Sequence, residues 1–457
     1  MKFPQYLLMA LIFSSGLVGC ADVVNEAATL PTTLLPSPTV QPNPSPTSPP
    51  LPTPTCVPVQ YTEPEEILAI ETTGTIFNMA SADFNDDGKM DVVFDKHKFQ
   101  SADTYEIEVL VNAGNGGLQL GTAEIFEGPV PRVQHPRQML IADFNEDGRA
   151  DIFIADHGQD TDPFPGYQNT LVLSSPGGKL IDATGNLPQQ MDFTHSAAFG
   201  DIEGDGDLDL YVGNLYGGDG SPPQVWVNDG SGVFSIEAGH IPGKFTDISI
   251  NKYTSSKFVD VNNDGFVDLI LGGDSISQSV VLLNDGIGQF AELPDAIPSK
   301  PWSDDDIAVS VETYDFDGDD LQDLIIAFTN IYYQGRYLQI LINNGDGMFR
   351  DETENRLPQT DTQKEWIITI QLVDLDHNGD IDITTNTMGG ESADLPIFLN
   401  DGNGFFSSLS YTLPNFQAWQ HVFVDLDGDG GLDIVSSATP WLTDVETLSV
   451  IRDIGCK

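Results

Sequence analysis

Seven copies of one nine-residue acidic pattern run through the chain, and no other feature narrows its fold as much. They read DFNDDGKMD from Asp83, DFNEDGRAD from Asp143, DIEGDGDLD from Asp201, DVNNDGFVD from Asp260, DFDGDDLQD from Asp315, DLDHNGDID from Asp374 and DLDGDGGLD from Asp425. Successive copies start 60, 58, 59, 55, 59 and 51 residues apart. A period of that length held seven times marks a repeat architecture, each unit being one supersecondary block. Oxygen-bearing side chains at positions 1, 3 and 5 can fold inward around one hard cation such as Ca²⁺. A glycine at position 6 permits the sharp turn that brings later oxygens in.

An EF-hand loop needs a bidentate glutamate at position 12 and a helix on each side. Position 12 is Phe94, Ile154, Val212, Leu271, Ile326, Thr385 or Ser436, so that reading fails. The ninth-position Asp is followed instead by apolar, β-branched runs such as DVVF, DIFIAD, DLYVGN, DLILGG and DLIIAF, which read as strands. About twenty residues further on, five units carry a hairpin signature, an apolar strand ending in Asn and a glycine-rich turn: VLVNAGNGGL, VWVNDGSGVF, VLLNDGIGQF, ILINNGDGMF and IFLNDGNGFF. The second unit has the looser LVLSSPGGKL. A unit is thus four antiparallel strands with the acidic loop between the first and second. Repeated seven times, it predicts an all-β, seven-bladed β-propeller of four-stranded antiparallel blades.

On these residues the chain resembles the FG-GAP/VCBS repeat family, whose units build the seven-bladed propeller at the head of integrin α subunits and of many bacterial surface proteins. The resemblance spans residues 66 to 457. It implies up to seven Ca²⁺, one per blade, held by the side chains at positions 1, 3, 5 and 9 and the carbonyl at position 7. The implied ligands are Asp83, Asn85, Asp87, Asp91 and Lys89 in the first loop, and Asp143, Asn145, Asp147, Asp151 and Arg149 in the second. The third has Asp201, Glu203, Asp205, Asp209 and Asp207, and the fourth Asp260, Asn262, Asp264, Asp268 and Phe266. In the fifth they are Asp315, Asp317, Asp319, Asp323 and Leu321, and in the sixth Asp374, Asp376, Asn378, Asp382 and Asp380. The seventh has Asp425, Asp427, Asp429, Asp433 and Gly431. Indifference to side chain at position 7 is what a carbonyl ligand predicts. Two departures stand out. Asp320 replaces the expected glycine and strains the fifth turn unless it takes the left-handed conformation, and Glu203 is longer than its counterparts.

The chain opens MKFPQYLLMALIFSSGLVGC, an apolar run too short for a spanning helix. Leu17 to Cys20 resembles a bacterial lipobox, which implies a signal peptide over 1–19, acylation of Cys20 and an extracytoplasmic protein tethered to a membrane. Residues 20–58 then form a proline-rich, nearly uncharged linker. Its stretch from 31 to 58 could reach roughly 80–90 Å at about 3.1 Å per residue. Residues 59–457 are the propeller. With Cys20 acylated, Cys56 and Cys456 remain, and a disulfide between them is expected in an oxidising compartment, two free thiols being the alternative. The last unit ends after three strands, so the segment EEILAIE, residues 65 to 71, is expected to complete the seventh blade.

Eighteen basic against seventy acidic residues leave a formal charge of −52, which repels nucleic acid and anionic lipid. Twenty-four of the seventy acids sit at loop positions 1, 3, 5 and 9. The loops between strands two and three and those leading into strand one share the face opposite the acidic loops. Trp441 falls in a two-to-three loop, Trp302, Trp366 and Trp419 precede first strands, and Trp226 lies inside a strand. The long DHGQDTDPFPGYQN loop brings His157 and Tyr167, NLYGGDGSPP brings Tyr216 and TNIYYQGRY brings Tyr332, while His195 is expected near His157. Such aromatics serve either packing between blades or a ligand face, and the histidines either internal hydrogen bonds or acid/base chemistry. No nucleophile elbow, phosphate loop, HExxH or CxxC occurs. The sequence points to a monomeric, non-enzymatic binding or adhesion module for a carbohydrate or protein ligand. A propeller lyase or hydrolase acting on polysaccharide, and a scaffold in an envelope complex, are the alternatives.

Overall fold

The computed structural model describes residues 61–71, 74–98, 101–215, 220–300, 303–358, 366–388, 394–412, 420–438 and 445–453. The stretches expected to be a signal peptide and a linker, residues 1–58, lie outside them, as do Cys456, Tyr216, Trp302, Trp419 and Trp441; Cys20 and Cys56 fall within that first stretch. The described residues form seven four-stranded antiparallel sheets.

Blade one runs Thr75–Ala82, Asp91–His97, Glu108–Asn112 and Leu118–Leu120, and the next five blades repeat that order. In all seven the ninth loop residue, from Asp91 to Asp433, opens strand two. Blade seven contributes Gln420–Val424, Asp433–Ala438 and Val445–Ile451, and its outer strand is Glu65–Glu71, paired antiparallel with Val445–Ile451 from Glu65 opposite Val450 to Glu71 opposite Val445. Ring closure therefore follows the expectation. First strands of neighbouring blades pack side by side from blade one to blade six, and Thr75–Ala82 meets Gln420–Val424 where the ring closes.

The core is divided into seven wedges, one between each pair of blades. The second residue of each acidic loop, Phe84, Phe144, Ile202, Val261, Phe316, Leu375 or Leu426, is buried in the wedge shared with the next blade. An apolar side chain inside an acidic loop has nowhere else to hide from water, so this position ties the loop to the interface. Trp226 lies inside Gln224–Asn228 as expected, its ring edge-on to Phe153 of blade two at 6.3 Å. Trp366 opens the first strand of blade six, Trp366–Val373, instead of preceding it.

Candidate cation loops and channel mouth

Each acidic loop is folded around its first carboxylate. Asp83 accepts the amides of Asp87 and Gly88 at 3.1 and 2.7 Å, and Asp260 accepts those of Asp264 and Gly265 at 3.1 and 2.8 Å. Position-7 amides bond the fifth side chain, as Lys89 does to Asp87 and Phe266 to Asp264, both at 3.0 Å. The position-7 side chains turn outward, and several lie over the first hairpin glycine of their own blade: Lys89 over Gly114, Phe266 over Gly286, Leu321 over Gly345. That explains why chemistry varies freely there.

The ninth carboxylate is buried and braces the loop against strand three. Asp268 accepts the amides of Val261 and Asn284 at 3.1 and 2.8 Å, and Asp382 those of Leu375 and Asn400, both at 2.8 Å. Burial pushes these acids up, to about 6 for Asp91, Asp151 and Asp268 and about 7 for Asp323 and Asp382. Asp209 goes highest, to about 8, through burial and the neighbouring Glu203 charge. A buried carboxylate with carboxylate neighbours calls for a positive charge.

Carboxylate oxygens lie within 4.8 Å of one another in three loops: Asp315, Asp317 and Asp323; Asp374, Asp376 and Asp382; and Asp425, Asp427 and Asp429. These all-oxygen sets suit Ca²⁺. Asp320 takes the left-handed backbone, φ 67°, and donates its amide to Asp315 at 2.8 Å as glycine does elsewhere, so the fifth loop closes normally. Arg356 also reaches Asp317 at 3.1 Å.

The asparagine that ends strand three links adjacent blades. Its side-chain amide donates to the carbonyl of the second loop residue of the preceding blade: Asn112 to Leu426 at 2.7 Å, Asn228 to Phe144, Asn284 to Ile202 and Asn343 to Val261 at 2.8 Å, and Asn400 to Phe316 at 3.2 Å. Blade two has Ser174 there, bonded to Asp147 of its own loop at 2.9 Å.

At the other end of the blades the first strands carry a register shift. In blades two to six it leaves one residue six positions before the first loop aspartate unpaired: Arg137, His195, Thr254, Val309 and Ile368. In blade one it spans Phe77 and Asn78. A bulge re-aims the side chain it frees, and all of these residues line the central channel. Beside it, His97 stacks on His135 with ring centroids 4.2 Å apart, His135 lies 4.2 Å from His157, and His157 lies 5.9 Å from His195 at 18°. Asp156 holds the row in place by accepting the amides of His135 and Gly158 at 2.9 and 2.8 Å. Burial, with Arg137 close by, drives all four imidazoles well below their ordinary value and keeps them neutral.

Three stretches of the chain, 143–212, 260–326 and 315–385, match the family model described as FG-GAP-like repeat. The chain carries FG-GAP-like repeats. Each match starts on a first-position aspartate, and together they take in loops two to six of this FG-GAP propeller. Among solved structures, one titled "Structure of Dos1 propeller" is similar at a TM-score of 0.48 and 10% identity, over 86% of this chain and 95% of that one. No curated protein sequence matches.

Of the residues expected on the ligand face of the FG-GAP propeller, His157 and His195 do come together, and Trp366 lines the channel. Tyr332 is 73% exposed, and Tyr167 pairs its backbone with Asp192. Sequence reasoning missed His97, His135, Arg137 and Tyr333, whose ring meets Trp366 at 5.1 Å and 61°. One signal was present: His97 and His157 both follow their first loop aspartate by 14 residues, so they are equivalent positions of adjacent blades.

Proposed function

We propose that this FG-GAP propeller is a calcium-stabilised binding module that takes a carbohydrate at the channel mouth opposite its acidic loops. The observation that carries the reading is the set of bulges in blades one to six, which turns Phe77 and Asn78 of blade one and one side chain from each of blades two to six into a common channel beside the Tyr333–Trp366 pair. Aromatic faces with amides and hydroxyls around them suit the C–H face and the hydroxyls of a sugar. The test is a glycan array probed with the full chain in calcium and again after chelation. Calcium-dependent binding to one sugar class is expected, and silence of a folded sample would remove the carbohydrate reading.

On this reading the module is displayed outside the cytoplasm through a lipid on Cys20 and a proline-rich stalk. Its ring is closed by a Cys56–Cys456 disulfide, a pairing supported by the Tyr61–Asp453 bridge that holds the flanking chain ends side by side. Mass spectrometry of the mature protein without reductant reads both, expecting an acylated Cys20 and a Cys56–Cys456 peptide. An unmodified N-terminus or free thiols would overturn the respective part.

A further inference from the structure

In blades one to six the buried ninth carboxylate divides its two oxygens in one way. Oδ1 accepts the amide near the end of strand three, and Oδ2 accepts the amide of the second loop residue. Blade seven departs from this. Asp433 Oδ1 still accepts a backbone amide, from Asp453 at 3.0 Å, but Oδ2 is taken by the Arg452 guanidinium at 2.6 Å. The other arm of that guanidinium donates to the Gly116 carbonyl in the hairpin of blade one.

Arg356 repeats the arrangement in blade five. It donates to Asp317, the third-position residue of its own loop, at 3.1 Å, and to the Asn403 carbonyl in the hairpin of blade six at 2.8 Å. Gly116 and Gly404 are the second glycines of their hairpins, and a Cβ on either would run into the arginine. Leu173, His240 and Leu293 fill that place at the three junctions from blade two to blade five. Glu352 also lies 3.6 Å from Arg356, so Asp317 holds part of that charge. Both pairs are shielded, the side chains being 9% and 16% exposed in Arg356–Asp317 and 25% and 5% in Arg452–Asp433. The Lys89–Asp87 pair of loop one is 41% and 36% exposed and correspondingly weak. In loop two, Arg149 divides itself between Asp147 and Asp86 at 3.3 and 3.2 Å. Among the described residues, no lysine or arginine meets a ligand carboxylate of loops three, four and six.

We infer that Arg356 and Arg452 are built-in counter-ions that make loops five and seven weaker calcium sites than loops three, four and six, so that the propeller fills in two classes. The inference rests on the calcium-stabilised reading above and adds which loops depend on the ion. An arginine paired with a ligand carboxylate reduces the negative charge the loop offers, and the affinity of an all-oxygen site follows its charge count. It also repels a divalent ion placed beside it. Neither loop is disabled. Asp317 keeps Oδ1 buried without a hydrogen bond, and Asp425, Asp427 and Asp429 converge in loop seven. The ninth residue joins the converging set in loops five and six, whereas Asp433 does not. Because each arginine also grips the next blade's hairpin, the junctions from blade five to six and from seven to one stay fastened when calcium falls.

The test is calorimetric titration of the calcium-free full chain with Ca²⁺. Two classes of sites are expected, the weaker at least about tenfold weaker, the size of one charge-assisted contact. Arg356→Gln and Arg452→Gln should each move one site from the weaker class to the tighter, and Arg356→Lys and Arg452→Lys should leave it in the weaker. The glutamine variants should also lower the melting temperature more in EDTA than in saturating calcium, a split that a merely structural loss would not give. A single class of sites overturns the inference and leaves the calcium reading standing, as do site counts unchanged by both glutamine substitutions. No calcium binding at all removes both. If a glutamine variant does not fold without calcium, competition with a chelator, starting from the loaded protein, reads the same count.

Discussion

His421, on the first strand of blade seven, is buried with neither ring nitrogen hydrogen-bonded. Burial holds its pKa at about 3, whereas in an unfolded chain it titrates near 6.5. Below pH 6.5 the unfolded state therefore binds a proton that the folded state refuses. The contribution to stability is whole above pH 6.5 and drains away as the pH falls toward 3. His97 behaves in the same sense, its pKa also lowered to about 3 chiefly by burial. Replacing His421 by leucine removes the unbonded polar atoms and the proton linkage together. His421→Leu is expected to stabilise the protein by about 1–2 kcal/mol at pH 7 and to flatten the fall in melting temperature between about pH 6.5 and 4.5. Thermal melts over that pH range check it, and a lower melting temperature at pH 7 would show that the imidazole has a packing role that leucine cannot fill.

Among the elements, the strand-three asparagines deserve the sharpest test, because one side chain serves two blades. Asn284 donates to Ile202 of blade three and Val267 of its own blade at 2.8 and 3.0 Å, and accepts the amides of Gly286 and Gly288, both at 3.1 Å. Asn284→Ala is expected to destabilise by about 3 kcal/mol, since buried backbone groups on both blades lose their partner. Asn115→Ala, in an exposed hairpin turn that bonds only Gly117 among the described contacts, should cost less than about 0.5 kcal/mol. Denaturant unfolding of the two variants makes the comparison, and equal effects would show that the inter-blade bond carries nothing special. The asparagine was visible in the sequence as a hairpin signature, and so were the acidic loops, because each depends on residues adjacent in the chain; the closing strand Glu65–Glu71 was legible because the last unit runs out after three strands. The link from Asn284 to Ile202 was not, since it crosses 82 residues. The bulges that aim Arg137 and His195 were equally hidden. A bulge is a mismatch between two paired strands, so no spacing within one strand reveals it. His97 and His135 come from different blades and meet only once the ring has formed.

For the whole molecule, the seven loops set how firmly the blades hold together. Each loop couples a cluster of carboxylates to the wedge beside it through its buried second residue. Each bound Ca²⁺ would add about 2.7 kcal/mol at a hundredfold excess over its dissociation constant. Chelation is therefore expected to lower the melting temperature by well over about 10 °C, recoverable by calcium, and calorimetry in EDTA reads it. A melting temperature indifferent to chelation would remove calcium from the account. Ring closure has a further consequence, in the timing of synthesis. Glu65 pairs with Val450, a partner 385 residues later in the chain. At about 5–20 residues per second that partner emerges roughly 20–80 s after the strand itself. Throughout that interval Glu65–Glu71 is a strand without a sheet while the other blades can form around it. Its acidic residues, Glu65, Glu66 and Glu71, are the kind that discourage a waiting strand from pairing with another chain's open edge, and so help keep it for its own seventh blade.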